Sequence, residues 1–214
     1  MNSLILRTLT ATALLAAAAT TISSTWAQQP QTMRIRGTVE KVDGNTVVVK
    51  ASDGASVTLT LTDKAVIVGV VKASLAEIKE GSYVGSAAMP QADGSQKALE
   101  VHIFAESQRG QGDGHRPGWY GTPNGTMTNG AVEPTGTVGA ASTSGGDPVF
   151  VVKYKEGDKR IVVPSNAHIV RYDVGSKSDI KAGAPFATQA AVKQADGTFT
   201  AERINVGKDG GRPF

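Results

Sequence analysis

Residues 36–62 read RGTVEKVDGNTVVVKASDGASVTLTLT, a pattern typical of short β-strands joined by tight turns. From Val57 to Thr62 apolar and polar side chains alternate, which predicts a strand with one buried face. The pairs Asp43-Gly44 and Asp53-Gly54 adopt left-handed backbone angles easily, as hairpin turns require. The stretch therefore predicts β structure almost throughout.

One short helical turn should interrupt the strands. Ser74 stands three residues before Glu77, the spacing of a capping box, so we expect a turn over 75–79 that ends at Gly81. Further strands are expected over 83–89 and 97–104. Five or six short strands with one helical turn are typical of small OB or SH3-like barrels, whose closure removes exposed strand edges.

The same unit recurs in the second half of the chain. Three motifs return in the same order: Gly37-Thr38-Val39 as Gly136-Thr137-Val138, residues 76–81 as 178–183, and residues 91–95 as 194–198. The separations are 99, 102 and 103 residues, which small loop insertions explain. In this second copy we expect Ser178 to cap the helical turn over 179–181.

These observations predict an all-β protein in five segments. We expect two small OB/SH3-like β-barrels in tandem, each with one short helical turn, joined by a Gly-rich linker. The expected segments are a signal peptide at 1–27, a first barrel at 28–104, a linker at 105–134, a second barrel at 135–207 and a flexible tail at 208–214.

The N-terminal segment has the features of a secretory signal peptide. Arg7 precedes an apolar stretch, and Thr25-Trp26-Ala27 places small side chains at the positions that signal peptidase requires. No later apolar run reaches the ~20 residues that a membrane-spanning helix needs. We therefore expect a periplasmic or secreted protein of 187 residues without a transmembrane segment after cleavage.

Charge and cysteine content exclude other classes. Removing Arg7 leaves 21 basic against 19 acidic residues, and these alternate along the chain and do not cluster. A nucleic-acid interface would require clustered Lys and Arg, so no nucleic-acid partner is expected. The chain has no cysteine, so its stability cannot come from disulfides.

Residues 105–134 combine seven glycines with unusual side chains. The side chains that stand out are Asp113, His115, Arg116, Trp119, Tyr120, Met127 and Asn129. Aromatic and histidine side chains that lie this close together dock either on the protein's own barrels or on a partner, unless the segment is disordered. Trp119, Tyr120 and Arg116 are therefore the candidate binding residues.

Together these motifs resemble the bacterial exported domains grouped as DUF5666. The matching residues are Gly37-Thr38-Val39, Asp43-Gly44, Ser74-Leu75-Ala76-Glu77-Ile78 with Gly81, and Asp93-Gly94 followed by a strand to Ile103. The resemblance covers 36–104 well and 135–207 less closely, where Pro164 and longer loops depart from it. It implies a small β-barrel in the cell envelope, without established catalytic residues, and links similar proteins to metal transport.

No recognisable catalytic pattern is present. A nucleophilic hydrolase needs a serine or cysteine near a histidine and its orienting acid, whereas His102, His115 and His168 fall in three separate segments. Alternation places His102 opposite Val101 and Ile103, which predicts a solvent-facing histidine. We expect no enzyme activity and no cofactor.

Two functions remain as expectations. The first is a non-enzymatic cell-envelope binding or interaction protein, with an envelope protein or a polysaccharide as partner. The alternative is a periplasmic metal-binding accessory protein linked to metal transport, with Asp113, His115 and Met127 as ligands of a transition-metal ion.

Overall fold

The computed structural model describes residues 32–118, 122–133, 143–144 and 146–213. Thirteen strands and three single-turn 3-10 helices form the regular structure of this part of the chain. The predicted all-β class is therefore confirmed. No helix among the described residues is long and apolar enough to span a membrane.

The strands follow one another with short connections. In chain order they are β1 (Thr32–Asp43), β2 (Thr46–Ala51), β3 (Ser56–Lys72), β4 (Tyr83–Pro90), β5 (Gln96–Ile103), β6 (Gly114–Pro117), β7 (Thr126–Val132), β8 (Thr143–Ser144), β9 (Asp147–Tyr154), β10 (Gly157–Val162), β11 (His168–Val174), β12 (Pro185–Lys193) and β13 (Phe199–Lys208). The 3-10 turns are Leu75–Glu77, Glu106–Gln108 and Lys177–Asp179.

Five strands close into a barrel, which we call the first ring. β1 pairs with β2, β2 with β3, β3 with β13, β13 with β12, and β12 returns to β1. Its interior holds Val47, Leu59, Phe186 and Ile204, all of them buried. Burying such apolar side chains is the main favourable contribution to folding.

A second circuit of five paired strands, the second ring, runs through β4, β5, β10, β9 and β7 and returns to β4. Val84, Val101, Phe150 and Ile161 form part of its buried cluster. The β5–β10 pairing is parallel, and the other four are antiparallel.

The rings do not coincide with the halves of the sequence. The first ring combines β1, β2 and β3 with β12 and β13, and the second combines β4 and β5 with β7, β9 and β10. Two barrels in tandem, each built from consecutive residues, are therefore not confirmed. Nor is a linker at 105–134, because β7 lies in this segment and belongs to the second ring.

β3 and β11 connect the two rings. The 17-residue β3 continues the strand predicted at 57–62 as far as Lys72. Its last residues pair antiparallel with β11, from Val68 opposite Val174 to Lys72 opposite Val170, and β11 pairs in parallel with β5.

Matching contacts relate the two halves. The Gly81 N–H donates to the Val132 carbonyl at 2.9 Å, and the Gly183 N–H donates to the Val39 carbonyl at 2.8 Å. Since Gly81 and Gly183 are equivalent in the two repeats, Val132 is the counterpart of Val39. Residues 130–132 therefore correspond to Gly37-Thr38-Val39. The motif that the sequence pairs with it, Gly136-Thr137-Val138, lies outside the described residues.

The two helical turns also match. The Ser74 backbone N–H donates to Oε1 of Glu77 at 2.9 Å, which confirms the predicted cap. In the second copy the cap is Ser176, whose N–H donates to Oδ2 of Asp179 at 2.8 Å. The prediction of Ser178 was wrong because the acid that closes the box is Asp179, and the three-residue spacing places its partner at Ser176.

Candidate functional site

A cavity of about 480 Å³, which we call the central pocket, lies where the outer faces of the two rings meet. On β5, Val101 and Ile103 point into the second ring, so the alternation of strand side chains directs Glu100 and His102 outward. On β13, Ile204 and Val206 point into the first ring, so Arg203 and Asn205 are directed outward. These outward side chains all line the pocket.

His102 lies on the second-ring wall of this pocket and is only 5% exposed. Its ring stacks on Tyr172 with the centroids 5.0 Å apart and the planes parallel, and it lies perpendicular to the Phe104 ring with the centroids 4.8 Å apart. The prediction of a solvent-facing histidine was therefore wrong. Alternation correctly placed His102 outside the ring, but β11 and its Tyr172 cover that outer face.

Glu100 is the buried carboxylate of the pocket, at 2% exposure. Its Oε1 lies 3.4 Å from Nδ1 of His102, within ion-pair distance but without the geometry of a hydrogen bond. Its Oε2 has no hydrogen-bond partner among the described residues. Because a buried carboxylate oxygen is costly without a donor, this atom is suited to accept a hydrogen bond from a bound molecule.

Gly85 makes room for the polar side chains of this wall. A Cβ at this position would overlap Nε2 of His102 and would lie 2.6 Å from Oδ1 of Asn129. The Nδ2 of Asn129 donates to the Gln111 carbonyl at 3.2 Å. The absence of a side chain at residue 85 thus allows His102 and Asn129 to pack closely over β4.

The first-ring wall is cationic. Arg34, Arg36 and Arg203 line the pocket from this side, and Arg116 lines it from the opposite wall. Among the described lining residues, Glu100 is the one carboxylate that faces these four guanidinium groups. Among the described lining residues guanidinium groups therefore outnumber carboxylates, which gives this part of the pocket an excess of positive charge.

Tyr172 supplies an uncharged hydroxyl group between the walls. Burial raises the pKa of this tyrosine above its ordinary value, and the negative charge of Glu100 raises it further, while Arg203 and Arg36 act in the opposite direction. The Tyr172 hydroxyl therefore stays protonated at neutral pH and can act as a hydrogen-bond donor.

Of the three predicted binding residues, the structure describes Arg116. Arg116 lines the central pocket, and its guanidinium donates to the Gly112 carbonyl. Trp119 and Tyr120 lie outside the described residues.

The predicted metal ligands do not share one face. His115 pairs with Thr128 across the β6–β7 ladder and Arg116 pairs with Met127, so His115 and Met127 project to opposite faces. Asp113 accepts hydrogen bonds from the Lys155 N–H at 2.9 Å and from the Tyr83 hydroxyl at 3.3 Å. Within the described ranges, no group of three His, Cys, Asp or Glu side chains could hold a metal ion.

The sequence interpretation missed Glu100, Arg203 and their neighbours in the pocket. A signal was present, because residues 99–104 read LEVHIF and residues 202–207 read ERINVG. Both repeats place large polar residues at the same two strand positions, Glu100 with His102 and Arg203 with Asn205. The recurrence of these polar pairs at equivalent positions of both repeats is the signal that distinguishes them from other polar strand residues.

Comparison with family models, with curated proteins and with solved structures finds no match to this chain.

Proposed function

We propose that this chain is an exported, non-enzymatic binding protein of the cell envelope, and that the central pocket is its binding site. The observation that supports this most directly is the cavity of about 480 Å³ with polar walls from both rings. This volume falls within the ~300–1,000 Å³ of typical small-molecule sites.

The burial of polar groups in the pocket favours binding over a purely structural role. Glu100, His102 and Asn205 are each at most 8% exposed, although they project from the outer faces of their rings. Leaving a buried acceptor such as Oε2 of Glu100 without a partner costs ~1–3 kcal/mol. A ligand that donates to this oxygen would recover that free energy.

The proposed location in the envelope rests on the sequence of residues 1–27. Their charged start, apolar stretch and small residues near Ala27 support export. We further propose that the two halves arose by duplication of a DUF5666-like unit with an OB or SH3-like ring of strands. The matching contacts of Gly81 with Val132 and of Gly183 with Val39 support this origin.

A pocket-blocking substitution tests the proposed function. Met127 is half-buried in the pocket wall, whereas Met33 is 49% exposed and lies outside the pocket. Thermal unfolding of residues 28–214 would be followed with a panel of sugars, organic acids, nucleotides and amines. We expect at least one compound to raise the Tm of the unsubstituted chain and of Met33→Trp but not of Met127→Trp.

Two outcomes would contradict the proposal. A compound that stabilises Met127→Trp as well as the unsubstituted chain binds outside the central pocket. A panel in which no compound raises the Tm of the unsubstituted chain argues against a small-molecule function for this cavity.

A further inference from the structure

We propose that the central pocket binds a small hydroxylated organic anion, with its anionic group at the arginine-bearing wall and a hydroxyl group at Glu100. A uronic acid is one molecule of this class. This inference rests on the proposed function and adds the chemical class of the ligand.

The charge of the pocket walls favours an anion. Four arginines and one glutamate are among the described lining residues, so an anion lowers the electrostatic free energy of the pocket and a cation raises it. The planar guanidinium group matches the geometry of carboxylate and phosphate groups and can donate two parallel hydrogen bonds to them.

Arg203 is positioned to bind the anionic group. Within the described part of the chain, this half-buried guanidinium makes no ion pair, although it lines the same cavity as Glu100. An internal ion pair between Arg203 and Glu100 would have neutralised both groups. The cavity keeps the two charges apart, so a ligand between them can contact both.

The two repeats place different charges at equivalent positions of the pocket walls. Arg203 and Asn205 on one wall take the strand positions that Glu100 and His102 take on the other. The two walls therefore use equivalent strand positions but carry side chains of different charge. A ligand that fits both has an anionic end and a hydrogen-bond-donating end.

A hydroxyl group suits Glu100 better than an ammonium group does. Oε2 of Glu100 is buried and has no hydrogen-bond partner among the described residues, so it requires a donor. An ammonium group would bring a further positive charge into a pocket that already has an excess of guanidinium groups. A neutral hydroxyl group donates the same hydrogen bond without this repulsion.

The test compares three sugars that share one ring and differ in charge. Isothermal titration calorimetry with residues 28–214 at neutral pH would use glucuronate, glucose and glucosamine, whose charges are negative, neutral and positive. We expect glucuronate to bind more tightly than glucose, and glucosamine to bind most weakly.

Substitutions test the position of the anionic end of the ligand. Arg203→Gln should weaken glucuronate binding roughly 10- to 100-fold, as the loss of a charge-assisted hydrogen bond requires. Arg116→Gln, at an exposed position of the pocket rim, should also weaken binding and provides a second variant in case Arg203→Gln does not fold. Arg160→Gln removes an exposed arginine outside the pocket and should leave the affinity unchanged.

Several outcomes would overturn the inference. Glucosamine as the tightest ligand would identify a cation site at Glu100, and equal binding of glucose and glucuronate would remove the role of the arginines. Acetate, which has a carboxylate and no hydroxyl group, would remove the role of the hydroxyl group if it bound as tightly as glucuronate. In each of these cases, if Met127→Trp still abolishes binding, the central pocket remains the binding site and only the ligand class is wrong.

Discussion

Val70 and Tyr172 face each other in the antiparallel ladder between β3 and β11, and 102 residues separate them in the sequence. The same separation relates Gly81 to Gly183. Adding it to Val68 gives Val170, and adding it to Lys72 gives Val174, so the pairs Val68–Val174 and Lys72–Val170 are one contact repeated. A local twofold axis therefore passes through the Val70–Tyr172 pair, beside the central pocket that Tyr172 lines.

Because the first ring combines strands from both halves of the sequence, we expect that neither half folds alone. A fragment of residues 32–104 contains β1 to β3 but lacks β12 and β13, so Val47 and Leu59 would lose their contacts with Phe186 and Ile204. We expect this fragment to show no cooperative unfolding by circular dichroism, and a mixture with residues 105–213 to regain it. The uncut chain is the control. Cooperative unfolding of the isolated fragment would contradict the exchanged pairing.

Gly85 is predicted to be intolerant of any side chain. In Gly85→Ala the new methyl group overlaps the His102 ring, which Tyr172 and Phe104 hold in place, so we expect a loss of about 1–3 kcal/mol in the free energy of unfolding. Gly69→Ala is the matched control, because its Cβ meets only the flexible Lys208 side chain at 3.1 Å. Urea denaturation measures both variants, and an equal stability of the two would refute this account of Gly85.

Tyr83 should limit stability at high pH. Burial raises its pKa to about 12, and the Asp113 carboxylate adds to the shift. Because the raised pKa means that the fold disfavours the phenolate, this stabilisation is fully present below the ordinary value of 10.0 and is lost as the pH rises through about 12.

Asp113→Asn tests the origin of this shift. It should lower the pKa of Tyr83, which the ultraviolet absorbance of tyrosinate reports during an alkaline titration. Tyr83→Phe removes the absorbance change of Tyr83 and so shows which part of the titration curve belongs to this residue. An unchanged titration in Asp113→Asn would show that the carboxylate does not act on Tyr83.

Glu77 and Asp179, the acids of the two capping boxes, should both contribute to the pH dependence of stability at low pH. Hydrogen bonds from the backbone N–H groups of Ser74 and Ser176 lower the pKa of Glu77 and of Asp179 below the ordinary values of 4.5 and 3.8. A lowered pKa means that the stabilisation is present above the ordinary value and is lost as the pH falls through the lowered one.

Replacing either acid should therefore make the loss of stability at low pH less steep. We expect Glu77→Gln and Asp179→Asn to reduce the dependence of the free energy of unfolding on pH in this range. Glu80→Gln, which changes an exposed carboxylate outside the turn, is the control. If the free energy of unfolding of both variants depends on pH as steeply as that of the unsubstituted chain, the capping carboxylates do not contribute to stability in this way.

Interactions between near neighbours in the sequence were predictable. At the matching turns Asp93-Gly94 and Asp196-Gly197 the carboxylate accepts a hydrogen bond from the backbone two residues later, with Asp93 to Ser95 at 3.0 Å and Asp196 to Thr198 at 2.9 Å. Such contacts depend on a few adjacent residues, so a motif read from the sequence is sufficient to identify them. The cap formed by Ser74 and Glu77 belongs to the same class.

Pairing between distant strands was not predictable in the same way. Alternation shows that β5 has two different faces, but it does not show that β11 and the other ring cover the face of Glu100 and His102. For the same reason, the repeats suggested two separate barrels, although β13 pairs with β3 from the first half. Hydrogen-bonding groups on the backbone are identical in every strand, so the sequence pattern does not specify the partner.

The place of β13 between β3 and β12 determines when the first ring can form during synthesis. β13 ends at Lys208, and the first ring remains an open sheet until that residue has left the ribosome. Until then one edge of β3 has no partner from β13 and can pair with other chains. The first ring therefore closes only after residue 208 has been synthesised, whereas the strands of the second ring are complete at Val162.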